Sequence, residues 1–180
     1  MKRKIFISLN LPEQAKKRLS KATKEWKDLP VKWVKDKNLH ITLLFLGFVD
    51  DDTAYEVCEK VAYTVQDVEI FDMEFDSIEL GPTSDDPKMI WVSGKENQEL
   101  LKLVEKIEKE LGIFTSPKKE FRPHITLGRI RKNKWEELES APKIKKDFPL
   151  VITAENVDVM ASDFEGTDME YTVVESCPLA

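Results

Sequence analysis

The sequence predicts an α+β fold of two similar lobes forming one domain over residues 1–180, and three observations carry that expectation. The tetrapeptide H-I-T-L occurs twice, at residues 40–43 and 124–127, and its two copies use the only histidines of the chain, His40 and His124. Residues 5–47 and 88–130 share one order of elements, a strand, a helix and a strand carrying H-I-T-L, which is the pattern of an internal duplication. A chain of 180 residues with 41% hydrophobic and 34% charged side chains suits one globular core and leaves little room for a second independent domain.

Each element has a local reason. Ile5, Ile7 and Leu9 alternate with Lys4, Phe6 and Ser8, the period of a half-buried strand. From Pro12 the apolar Ala15, Leu19, Ala22 and Trp26 recur at helical spacing, with proline suited to the first turn. V-K-W-V at 31–34 reads as a short strand and N-L-H-I-T-L-L-F-L-G as a longer one ended by Gly47. Asp50, Asp51 and Asp52 favour a helix start, and Ala54, Val57, Cys58, Val61 and Val65 give that helix one apolar face. Phe71, Met73 and Phe75 alternate with acidic residues, and a turn at 81–87 joins this strand to K-M-I-W-V-S-G as a hairpin. Asn97 or a neighbour opens a helix with the stripe Leu100, Leu103, Val104, Ile107 and Leu111, closed by Gly112. After the second H-I-T-L strand, residues 148–161 and 169–174 read as closing strands with Gly166 between them.

Composition narrows the function classes. The basic, apolar start is interrupted by Asn10, Pro12 and Glu13 before a secretory segment can form, and no stretch approaches the roughly 20 apolar residues of a membrane span. A cytoplasmic protein without membrane partners is expected. Cys58 and Cys177 are unclustered, so neither a disulfide framework nor a structural zinc site is indicated. A net charge of −6 argues against a protein that coats nucleic acid over its whole surface. Yet residues 116–134 carry seven basic side chains against Glu120, and residues 31–40 carry three lysines against Asp36. Both tetrapeptides thus lie in basic surroundings, which favours an anionic ligand there.

On a strand, residues i and i+2 share a face, so His40 and Thr42 project together while Ile41 and Leu43 enter the core, and His124, Thr126, Ile125 and Leu127 repeat this. If the two strands are neighbours, two imidazoles and two hydroxyls converge on one cleft, an arrangement that suits a phosphate. Imidazole titrates near pH 6.5, so one ring can take a proton while the other gives one. Threonine hydroxyls can donate to non-bridging oxygens. No third ligand accompanies the histidines for zinc, and no G-x-x-x-x-G-K-[ST] loop is present, so no cofactor or metal is expected. Arg129 beside the second motif either pairs with phosphate or packs at the surface. Phe6 and Trp33 are candidates for base stacking, while Phe45 and Phe121 are assigned to packing.

At I-F-I-S-L-N-L-P-E, N-L-H-I-T-L-L-F-L-G, F-R-P-H-I-T-L-G-R and S-D-F-E-G-T-D-M-E-Y, the last with Ser162, Gly166 and Tyr171, the chain resembles the two-histidine (2H) phosphoesterases. It is most similar to their RNA 2′,3′-cyclic phosphodiesterases, also called 2′-5′ RNA ligases. The resemblance implies antiparallel sheets lining a central cleft with helices outside. It also implies hydrolysis of RNA 2′,3′-cyclic phosphate ends to 2′-phosphates without metal or ATP, reversible as 2′-5′ ligation. By motif position His40 would be proton donor, His124 proton acceptor, and Thr42 and Thr126 phosphate holders; the symmetry of the two strands does not itself distinguish acid from base. Other readings are action on 2′-5′-linked oligonucleotides or small cyclic nucleotide phosphates, or binding of RNA ends without turnover. A monomer is expected.

Overall fold

The computed structural model describes residues 1–113, 122–165 and 168–180, and within them the chain forms two antiparallel sheets and four helices. Strand Lys2–Asn10 (β1) leads through Pro12, whose extended backbone caps the helix start, into Glu13–Thr23 (α1). Trp26 lies in a separate 3-10 turn rather than in the helix itself. Val31–Trp33 (β2) and a second short turn precede His40–Asp50 (β3). Asp50 then caps Asp51–Val65 (α2), its carboxylate accepting from the Thr53 N–H at 2.8 Å.

The hairpin expected after α2 is present as Phe71–Gly81 (β4) and Met89–Gly94 (β5). Asn97 caps Gln98–Leu111 (α3) by accepting from the Leu100 N–H, and Gly112 ends it in the left-handed conformation that glycine reaches without a Cβ clash. His124–Ile130 (β6) is followed by the short helix Lys132–Glu136 (α4). Glu155 divides the closing apolar run into Lys145–Ala154 (β7) and Asn156–Glu165 (β8), which join different sheets, before Asp168–Pro178 (β9).

One sheet has the order β3-β1-β8-β9 and the other β2-β6-β5-β4-β7, with every pair antiparallel. The two H-I-T-L strands are therefore not neighbours in one sheet. Each belongs to its own sheet, and β3 packs against β6 where the sheets meet. α2 covers β1, β3, β8 and β9 on the other side and touches α3. Beneath it, Ile5, Ile7, Val61 and Val65 are fully enclosed. Leucine- and isoleucine-sized side chains removed from water at such positions each stabilise the fold by about 1.5–3 kcal/mol.

Two local expectations change. β1 is buried on both faces between Ile5 and Leu9, because Phe6 and Ser8 on the side away from α2 are covered as well. Gly47 does not end β3. Ile5 pairs with Gly47 and Phe6 with Phe45, so one extra residue on β3 forms a bulge, and Gly47 takes a φ of 78° there while the ladder continues to Asp50.

Candidate active site

The alternation of H-I-T-L works as the sequence suggests. Ile41, Leu43, Ile125 and Leu127 are each no more than 4% exposed, while His40, Thr42, His124 and Thr126 are half-buried and line one cleft of about 270 Å³. The cleft lies between the sheets, with β3 supplying one pair and β6 the other.

His40 is held at both nitrogens. Its Nδ1 lies 2.7 Å from the Asn38 carbonyl, which can only accept, so Nδ1 carries a hydrogen in every ionisation state. Its Nε2 lies 2.7 Å from Thr42 Oγ1; the hydroxyl donates when the ring is neutral and accepts when it is protonated. Asn38 is itself anchored, since its side-chain amide donates to the Met169 carbonyl on β9 at 3.0 Å. His124 repeats the backbone bond, to Arg122, also two residues earlier in the chain. Its companion Thr126 donates to Met89 Sδ at 3.6 Å.

Aromatic rings fix the imidazoles further. Phe6 lies 5.1 Å from His40 at 39°, and Trp91 lies 4.7 Å from His124 at 41°. Tyr171 meets His40 edge-on at 5.4 Å and Phe6 at 5.1 Å. Trp91 is wedged from behind as well, for a Cβ on Gly81 would come within 2.2 Å of its indole.

Burial lowers the pKa of both histidines, and the positive charge of Arg129 pushes in the same direction; each ring's bond to a backbone carbonyl opposes the shift. His40 is lowered further by the charges of His124 and Lys16. The resting site thus favours neutral rings, with Nε2 of His40 accepting from the Thr42 hydroxyl. An anion placed between them reverses the electrostatic part of this shift and favours protonation.

Among the other sequence candidates, Arg129 stands exposed at the rim of the cleft with no ion pair or hydrogen bond among the described residues. Phe6 lines the cleft but is only 3% exposed, covered by His40, Phe45 and Tyr171, so it is floor rather than stacking platform. Trp33 does not reach this cleft; it lines an adjoining cavity. Phe45, assigned to packing, is instead 62% exposed at the cleft, because a second irregularity in the β1–β3 ladder, between Thr42 and Leu44, shifts the alternation and turns Phe45 to the face of His40 and Thr42 on the edge strand. Phe121 and Gly166 lie outside the described residues. The lysines before the first motif are largely neutralised: Lys35 pairs with Asp168 at 2.9 Å and Lys37 with Glu170. The cation that β1 contributes to the cleft is Lys4.

Trp91 was not singled out from sequence, although a signal existed. K-I-F-I-S at 4–8 and M-I-W-V-S at 89–93 place Phe6 and Trp91 at equivalent positions on the strands that flank the two histidine motifs. Among the described residues no group of three or more His, Cys, Asp or Glu side chains is placed to hold a metal ion, and no helix is long and apolar enough to cross a membrane.

Comparison with known proteins adds independent findings. The profile of the 2′-5′ RNA ligase superfamily matches residues 11–164. An RNA 2′,3′-cyclic phosphodiesterase of Thermotoga maritima is 28% identical over 178 residues, covering 96% of this chain and 93% of the relative. One from Methanocaldococcus jannaschii is 30% identical over 129 residues, covering 71% and 72%. The crystal structure of E. coli LigT complexed with 3′-AMP superposes with a TM-score of 0.79 at 21% identity over 99% of both chains, a likeness of fold.

Proposed function

The chain belongs to the 2′-5′ RNA ligase superfamily, and from that membership we propose that it hydrolyses RNA 2′,3′-cyclic phosphate ends to 2′-phosphates. The observation that carries this reading is the pair of half-buried imidazoles facing one cleft from two sheets, each followed by a threonine and each hydrogen-bonded to the backbone two residues before it. The names of the curated relatives support the substrate.

In the proposed reaction water attacks phosphorus as the P–O3′ bond breaks. His124 accepts the proton of water at its free nitrogen, and protonated His40 donates to the departing O3′. The product carries a 2′-phosphate and a 3′-hydroxyl, and the two rings end with their protonation exchanged, to be reset by solvent. Thr42 and Thr126 donate to non-bridging oxygens, and Arg129 supplies charge at the rim. With the 5′-hydroxyl of another RNA end in place of water, the same transfers, His124 taking the hydroxyl proton and His40 giving one to the departing O3′, join the ends through a 2′-5′ bond. No metal takes part in any of these steps. The matched strands, with Phe6 and Trp91 in equivalent places, support reading residues 1–180 as one duplicated bilobal domain.

The test is turnover of an oligonucleotide ending in a 2′,3′-cyclic phosphate, in excess EDTA, with the product end identified chromatographically. A 2′-phosphate is expected. Loss of activity in chelator, or undiminished activity in both His40→Ala and His124→Ala, would refute the mechanism.

A further inference from the structure

A second cavity of about 160 Å³ opens beside the cleft and shares Val34, Arg129, Met169 and Tyr171 with it. Its remaining wall comes largely from β2 and the turn that follows, including Lys32, Trp33 and Lys35. Trp33 is partly buried with its ring seated on Gly128, where a Cβ would come within 2.9 Å of it, so the indole is held rigidly. Lys35 is matched by Asp168 at 2.9 Å, but Lys32 has no ion pair among the described residues and stays exposed. The cavity therefore combines a fixed aromatic surface with an ammonium that makes no ion pair among the described residues, facing an Asp168 carboxylate already held by Lys35 and within reach of its charge, and it lies immediately next to the site read above as the phosphate site.

A cyclic phosphate closes the 3′ end of an RNA, so the chain has one way to continue from it, through the 5′ oxygen of the terminal nucleotide. The first group met on that path is an internucleotide phosphodiester, followed by another base. Resting on the phosphodiesterase reading, we infer that this cavity is a subsite for the adjoining nucleotide, with Lys32 meeting the phosphodiester and Trp33 stacking the base. The enzyme then acts on RNA chains in preference to cyclic mononucleotides, which leave the subsite empty. Base stacking of this kind is worth about 1–3 kcal/mol, or roughly 5- to 150-fold. A single-strand phosphate contact adds about 0.7 to the logarithmic salt dependence.

The experiment compares kcat/KM for adenosine 2′,3′-cyclic phosphate with that for the dinucleotide ApA ending in the same group, and for that dinucleotide with a neutral methylphosphonate linkage. Binding of the corresponding 2′-phosphate products is measured calorimetrically in parallel. The dinucleotide is expected to be favoured at least about fivefold. Lys32→Ala and the neutral linkage should each reduce that advantage and its salt dependence, without adding to one another. Trp33→Leu should also reduce it, with the mononucleotide little changed in either variant. Equal kcat/KM for mono- and dinucleotide, or an equal loss on both substrates in Lys32→Ala, would overturn the subsite while leaving the phosphodiesterase reading intact. If neither substrate turns over, the phosphodiesterase reading fails. The product affinities then decide the subsite by themselves: tighter dinucleotide binding that Lys32→Ala abolishes supports it, and equal affinities refute it.

Discussion

Replacing Thr42 by valine removes one hydroxyl while keeping the shape of the side chain. In the structure that hydroxyl lies 2.7 Å from His40 Nε2 and faces the cleft, whereas Nδ1 of the same ring stays fixed by the Asn38 carbonyl. The imidazole therefore keeps its orientation in the variant, and the loss reports the hydroxyl. A hydrogen bond to a charged group is worth about 1.5–3 kcal/mol, which corresponds to roughly a 12- to 160-fold fall in kcat/KM if the bond is made to the phosphate in the transition state. Stability should change by less than about 1 kcal/mol, since the position is half-buried and valine suits a strand. The assay is steady-state hydrolysis of a cyclic-phosphate oligonucleotide at the pH optimum, with urea unfolding as control and Thr42→Ser as the restoring variant. A valine variant within twofold of the parent, or a serine variant as weak as valine, would refute the assigned contact.

The pH–rate profile should be bell-shaped for kcat/KM. Burial and Arg129 lower both histidines from their ordinary value of 6.5, so both limbs of the free enzyme should move to the acid side. Arg129→Gln removes a charge that lowers both, so it should shift the bell toward higher pH as well as weaken substrate; a profile unmoved or shifted acidward contradicts this. Gly81→Ala drives a Cβ to within 2.2 Å of the Trp91 indole, which in turn lies 4.7 Å from His124. It should cost about 1–3 kcal/mol by overpacking and lower kcat as well, and a fully active Gly81→Ala enzyme would show that Trp91 does not position His124. Asp50→Ala removes the side-chain acceptor at the start of α2 and should lower the unfolding free energy by about 0.5–2 kcal/mol with kcat/KM unchanged, measured by urea denaturation.

The parts legible in the sequence were those decided within a few residues. His-x-Thr alternation, a helix start at the acids 50–52, another at Asn97 or a neighbour and a helix end at Gly112 follow from periodicity and local hydrogen bonding, and the structure places the caps at Asp50 and Asn97 and Gly112 in the left-handed conformation. Long-range choices were not legible. Nothing near His40 or His124 states that their strands enter different sheets, and a bulge at Gly47 depends on how β1 pairs with β3. Lysine runs looked like a continuous basic surround because the acids of β9 that neutralise Lys35 and Lys37 stand more than a hundred residues away. The same distance hid Tyr171 as a neighbour of His40. Trp91 was within reach, since its strand repeats the pattern around Phe6.

That His40 and His124 stand on separate sheets has a mechanical side. Within one sheet the gap between two side chains is locked by the hydrogen-bonded ladder, but here it crosses a seam held by side-chain packing where β3 meets β6. The span between the two rings is thus tuned by the volume of the residues filling that seam, and a misfit of about 1 Å costs around a hundredfold in rate. Conservative core substitutions far from any ligand should then slow the enzyme by more than their modest cost in stability accounts for, and natural variation in the seam becomes a way of retuning the catalyst without touching its chemistry.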